Sequence, residues 1–217
     1  MDSFFPILAI ETSSDLCSVA VAQDENVFIE LNYLKKHIHS EKILSMIETV
    51  LGSSSIKIEE LKAIAVSIGP GSFTGLRIGL SAVKGIAFGL NLPLIPVPSE
   101  QALAYQISRY LPDGTKFSVT INASSDDVYY SKFIKEKKII NSVEPLRLVE
   151  KSELSGLSKN ELVFGNIEDN DIIKLNYILN ASGIATWAYL FGKDLLTFDY
   201  DYLEPNYFKK FVVKGKS

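Results

Sequence analysis

Six of the thirteen glycines fall within one short stretch: Gly69, Gly71, Gly75, Gly79, Gly85 and Gly89. The stretch follows an apolar run, Ala63 to Ile68, that reads as a buried strand. It opens a longer run, Phe73 to Leu90, that reads as a helix. Gly69-Pro70-Gly71-Ser72 is therefore a strand-to-helix turn. It lacks the Gly-Lys-Ser/Thr ending of a P-loop, and Pro70 removes an amide donor that a dinucleotide-binding turn would use. At about 100° per residue, Gly75, Gly79, Ala82, Ile86 and Gly89 share one side of the helix. Leu76, Leu80, Val83, Ala87 and Leu90 form the adjacent side, and Arg77, Ser81 and Lys84 leave a narrow polar strip. Each internal glycine costs up to about 1 kcal/mol against alanine, so close packing must compensate. The large residues suit the helix's own sheet. The small stripe is expected to admit a second helix, either Ser40–Leu51 of the same chain or one from another chain.

Around this helix the chain alternates strand and helix signals. Ile7–Ile10, Cys17–Ala22 and Val27–Leu34 read as an antiparallel meander with short turns. A helix follows over Ser40–Leu51, with Glu41 in its first turn and Gly52 as its stop. Leu94–Val97 is a further strand, and Ser99 opens a helix to about Tyr110. Pro112-Asp113-Gly114 is the clearest punctuation, which divides the chain into residues 1–111 and 112–217. The second part again begins with paired strands, Phe117–Asn122 and Val128–Ile134. A strand over Ile139–Val149, a short helix at Ser152–Leu157, a strand at Leu162–Gly165 and a helix at Ser182–Lys193 follow. Two halves opening alike predict a duplicated α/β architecture with a reduced second copy.

The 217 residues include 22 Lys+Arg and 26 Asp+Glu, a net charge of −4. Free-standing nucleic-acid binding needs a concentrated basic face, which such a balance does not supply. Lys209, Lys210, Lys214 and Lys216 are the local exception and read as a solvated tail. The single cysteine, Cys17, excludes an internal disulfide and a multi-cysteine zinc site, and its place in an apolar strand makes it a core residue. The opening residues lack a basic signal-peptide region, and Gly85–Pro98, taken as the longest later apolar stretch, is too short and too proline-rich to span a bilayer. A soluble cytoplasmic protein without membrane contact is expected.

Four segments carry a family resemblance: Ile7-Leu-Ala-Ile-Glu-Thr-Ser13, His39-Ser-Glu41, Gly69-Pro-Gly-Ser-Phe-Thr-Gly-Leu-Arg-Ile-Gly79 and Val128-Tyr-Tyr130. Together they resemble the TsaB (YeaZ) family over about the first 135 residues. The resemblance implies an actin/Hsp70-like (ASKHA) fold, with two related α/β subdomains around a cleft. It implies a non-catalytic subunit for threonylcarbamoyladenosine modification of tRNA. Such a subunit pairs with a TsaD-like catalytic subunit or, in isolation, with itself. A TsaE-like ATPase joins the assembly, and tRNA is reached indirectly through the complex. The implied docking helices are Ser40–Leu51 and Phe73–Leu90, with His39, Leu44, Ile47, Leu51, Phe73, Gly75, Arg77, Gly79, Ala82 and Ile86 as interface residues. Two positions depart from the family pattern. Asn122-Ala123-Ser124 stands where Asp-Ala-Arg is usual, and Tyr202-Leu203-Glu204 where Tyr-Leu-Arg is common.

An ATP-using enzyme of this fold needs two phosphate loops and a carboxylate for magnesium. The corresponding loops, Glu11-Thr12-Ser13-Ser14 and Asn122 to Ser125, both lack glycine. They leave at most a degenerate cleft for weak nucleotide binding, built on Glu11, Thr12, Ser13, Asn122 and Ser124. His37 and His39 are two apart, with no third histidine, and cannot make a helical metal pair. No cofactor, metal site or catalytic residue is expected. The rival readings are a stand-alone ATP-dependent ASKHA enzyme and a glycoprotease-like metallopeptidase.

Overall fold

The structure is a computed structural model that describes residues 4–157, 162–165 and 174–206. In the first half, β1 (Ile7–Glu11), β2 (Leu16–Ala22) and β3 (Phe28–Leu34) precede α1 (His39–Ser54), β4 (Ala63–Gly69), α2 (Phe73–Leu90), β5 (Leu94–Pro98) and α3 (Ser99–Ser108). In the second, β6 (Lys116–Asn122), β7 (Asp127–Glu136) and β8 (Ile139–Glu150) precede α4 (Leu154–Leu157), β9 (Leu162–Gly165), β10 (Lys174–Asn176) and α5 (Ala181–Phe191). The sheets run β3-β2-β1-β4-β5 and β10-β9-β6-β7-β8. Each has an antiparallel meander of three strands and two further strands added in parallel beside the first. The two sheets thus share one topology, the duplication of an actin/Hsp70-like fold. Among the described residues, the second-half counterpart of the 16-residue α1 is the four-residue α4.

The central strand β1 is buried on both faces, so its sequence is a continuous apolar run rather than an alternating one. Leu8 and Ile10 face α1 and α2, in a core with Ile43, Ile47, Val50, Leu80 and Val83. Ile7 and Ala9 face the other way, toward α3 and α5. That second face is lined with alanines, Ala9, Ala20, Ala22, Ala63 and Ala65, which lets α5 lie close through its own Ala181, Ala185 and Ala188. The N-terminus of α5 is tied to the first sheet: the Glu30 carboxylate accepts from Ser182 N at 2.8 Å and Asn180 Nδ2 at 3.2 Å, and Ser18 Oγ accepts from Ala181 N at 2.8 Å.

Several expectations change. Residues 181–191 belong by sequence to the second half, but α5 packs on the first sheet, and Thr197 bridges to Leu94 beside it. The Pro112-Asp113-Gly114 turn is well defined: Gly114 takes φ 81°, and its amide donates to Lys135 O at 2.8 Å. Helix α1 runs through Gly52 and stops at Ser55, which takes the left-handed cap conformation. The strand β10 is additional to the sequence reading. Among the described residues, one helix, Phe73–Leu90 rather than the Gly85–Pro98 stretch, is long and apolar enough to cross a membrane by length and composition. It is a sheet-packed helix, burying Leu76, Leu80, Val83 and Ala87 while Arg77 stays exposed. The lysines of the tail lie outside the described residues.

Candidate docking face and inter-lobe cleft

The turn into α2 is fixed by contact with the β1–β2 turn. Ser72 N donates to Ser13 O at 2.7 Å, and the Ser72 hydroxyl caps the helix by accepting from Gly75 N at 3.2 Å. Gly71 takes φ 156°, and a side chain there would lie 2.4 Å from Ser13 O. The same turn accounts for the glycines inside the helix. A Cβ at Gly75 would lie 2.1 Å from Thr12 O, and one at Gly79 would lie 2.3 Å from Thr12 Oγ1. The visitor admitted by this end of the small stripe is thus the chain's own Thr12, not a helix from elsewhere. Gly85 and Gly89 lie exposed, and a Cβ at either would meet nothing within 4 Å.

Of the ten residues assigned to an interface, five are consumed internally. Gly75 and Gly79 seat Thr12, while Ile47 and Leu51 are core residues of the α1 face. His39 is buried against the β1–β2 turn, and burial holds its imidazole below the usual range despite backbone hydrogen bonds from the Ser14–Leu16 region that favour the charged form. Ala82 and Ile86 are half-buried at the edge of the core. Leu44 (58% exposed), Phe73 (37%) and Arg77 reach the surface. They share an open groove of about 520 Å³ between α1 and α2, to which Thr74 and Ile78 also contribute. Arg77 stacks over the Phe73 ring at 4.1 Å, which holds an apolar plate at the groove's end. Ile78 and the 78%-exposed Phe88 were missed in the sequence reading, although the helical wheel puts Phe88 within the strip read as polar and Ile78 at the border of the small stripe.

The cleft residues are brought to the facing ends of the two meanders. Glu11, Thr12 and Ser13 are buried; Asn122 is exposed and Ser124 half-buried. Both loops satisfy their own amides. The Glu11 carboxylate accepts from Ser13 N in a short hydrogen bond, and Thr12 N reaches Ser67 Oγ at 3.4 Å. Ala123 N and Ser124 N both donate to Asp127 O. Between the lobes, the cavity lined by Ser13, Ser14, Ser99 and Leu103 holds about 20 Å³, room for roughly one water. Burial pushes the Glu11 carboxyl up to about 7, against the hydrogen bonds from Ser13 and Ser67. Glu100 at the start of α3 is likewise raised by burial to about 7. A carboxyl poised near neutrality suits proton transfer, but Glu11 is not among the residues that line this cavity. Burial raises the Cys17 thiol to about 11, with Glu11 adding to the shift, which keeps it protonated and inert. Among the described residues, no three His, Cys, Asp or Glu side chains come together to hold a metal.

The family model for TsaD, tRNA N6-adenosine threonylcarbamoyltransferase, matches residues 34–189. The TsaB protein of tRNA threonylcarbamoyladenosine biosynthesis from Haemophilus influenzae is 37% identical over 132 residues, covering 60% of this chain and 55% of that protein. The chain belongs to the TsaD-related TsaB (YeaZ) family. Its Escherichia coli TsaB relative is 32% identical over 148 residues, covering 68% of this chain and 63% of the relative. The chain thus aligns with less than two thirds of these relatives' length. The solved YeaZ structure from Pseudomonas aeruginosa superposes with a TM-score of 0.77 at 22% identity, over 93% of this chain and 98% of that one. That likeness is one of fold and covers nearly the whole chain.

Proposed function

We propose that this chain is a non-catalytic subunit of the machinery that forms threonylcarbamoyladenosine on tRNA, and that it docks a TsaD-like transferase through the exposed face of α1 and α2. The observation that carries this reading is the open groove holding Leu44, Phe73 and Ile78. An apolar face of this kind on a folded domain is a place for a protein partner. The names of the TsaB relatives supply the pathway. In this reading a TsaE-like ATPase joins the assembly, the isolated chain pairs with itself, and tRNA is reached through the transferase in the cytoplasm. Neither nucleotide nor metal resides in the chain. The rival readings, a stand-alone ATP-dependent enzyme and a glycoprotease-like metallopeptidase, predict turnover by the chain alone.

Reconstitution tests the proposal. The purified chain and the TsaD-like transferase of the same organism are assayed singly and together for threonylcarbamoyl transfer to tRNA. The expected result is a stable complex, transfer only when both are present, and no ATP turnover or peptidase activity by the chain alone. Full transfer by the transferase unaided, or turnover by this chain alone, would contradict the proposal.

A further inference from the structure

After Asn206 the chain continues as Tyr207-Phe208-Lys209-Lys210-Phe211-Val212-Val213-Lys214-Gly215-Lys216-Ser217. The place where the described fold hands over to this segment is informative. Asn206 N donates to Ile68 O at 2.8 Å, at the end of β4 and beside the turn into α2. Just before it, Leu203, Glu204 and Pro205 border a second groove of about 220 Å³ along one flank of α2, with Arg77 and Ser81 on its wall. Arg77 and Ser81 also border the α1–α2 groove on the other flank. The segment therefore starts about one helix diameter, roughly 10 Å, from the apolar groove. Eleven residues reach up to about 36 Å when extended, so length is no obstacle.

The chemistry matches as well as the distance. Tyr207, Phe208, Phe211 and Val212 repeat at the spacing of one helical face, and the segment carries four lysines and no acid. The groove offers Leu44, Phe73 and Ile78 as apolar floor. Its α1 rim carries exposed Glu48 and exposed Glu41, the latter also paired with Lys42 at 3.1 Å, four residues after and three before Leu44, so all three lie on one face. We propose that residues 207–213 dock into the α1–α2 groove of their own molecule, with Lys209 and Lys210 against the Glu41 and Glu48 rim. The tail is then an internal occupant that any partner must displace. The docking itself stands apart from the proposed function; only the displacement by a TsaD-like subunit rests on it.

Disulfide trapping in the full-length chain tests this, because Cys17 is fully buried and does not compete. Thr74→Cys, at the groove, is paired with Phe211→Cys; the control pair is Ser53→Cys, on the exposed far end of α1, with Phe211→Cys. Under mild oxidation at low protein concentration, the groove pair is expected to close within one chain about ten-fold faster than the control, and Leu44→Lys should remove that advantage. Equal rates at both positions, or indifference to Leu44→Lys, would overturn the docking. Bonds formed mainly between chains would overturn it too and seat a second copy in the groove. A tail that gives no groove bond but whose deletion abolishes tRNA retention would overturn it in favour of an RNA contact. Adding excess transferase separates the two proposals. Binding that leaves the trapping rate unchanged ends the displacement and moves the transferase off the α1–α2 face while sparing the subunit role, whereas groove trapping without transferase binding ends the function and spares the docking.

Discussion

Thr12 explains more of the glycine pattern than any helix does. Gly75 and Gly79 leave no room for a methyl group beside it, while Gly85 and Gly89 are open. Alanine at Gly75 or Gly79 should therefore cost about 1–3 kcal/mol through overpacking, and alanine at Gly85 or Gly89 should stabilise by about 0.5–1 kcal/mol. Urea midpoints of the four variants check this; equal effects at all four would contradict it. Thr12→Ala should relieve Gly79→Ala, which meets a side chain, but not Gly75→Ala, which meets a backbone oxygen. The wheel made the small stripe legible in the sequence. What fills it was not, because periodicity reports which residues share a side and not which distant turn arrives there. Glu11 is a second residue-scale case. Its carboxyl, raised from 4.5 to about 7, binds a proton more tightly folded than unfolded. Its contribution to stability is complete below pH 4.5 and is lost as pH rises to about 7. Relative to wild type, Glu11→Gln should gain about 3 kcal/mol between pH 4.5 and 8, read from urea unfolding at each pH. A difference that does not vary with pH would show that the carboxyl is not buried neutral.

At the scale of elements, α2 and α5 do the organising. The bounds of α2 were readable because Ser72 is a strong cap and the apolar repeat is unbroken. The reach of α1 past Gly52 was not, since exposed glycine is tolerated mid-helix where the opposite face is well buried. The three-residue β10 is too short to carry a pattern. The return of α5 to the first sheet depends on a pairing across about 150 residues that no local signal announces, Glu30 with the Ser182 amide. That pairing carries its own prediction. Glu30→Ala removes a carboxylate from a helix N-terminus and leaves the half-buried Ser182 amide and Asn180 side chain without it, a loss of about 1–2 kcal/mol. Hydrogen exchange at Ala181 and Ser182 should quicken more than at β1; unchanged exchange there would contradict the latch.

For the whole molecule, the duplicated sheet order was foreshadowed by two similar strand openings, and the family resemblance supplied the fold name. The state of the cleft was only half legible. Missing glycines argued against phosphate loops, but that Ser99, Leu103 and the 177–179 segment line one small cavity with Ser13 is set by tertiary packing that no local signal announces. The α1–α2 face was legible as two helices but not in detail, because burial decided which side of each helix stays exposed. In the proposed function, the α2 glycines serve the fold and the exposed α1–α2 rim serves the partner. Calorimetric titration of the TsaD-like transferase into wild-type and Leu44→Lys chains separates these roles, because Leu44 is 58% exposed and no part of the core. Affinity about ten-fold or more weaker for Leu44→Lys, about 1.4 kcal/mol, with an unchanged urea midpoint, is the predicted result. Equal affinity for the two chains would contradict the account.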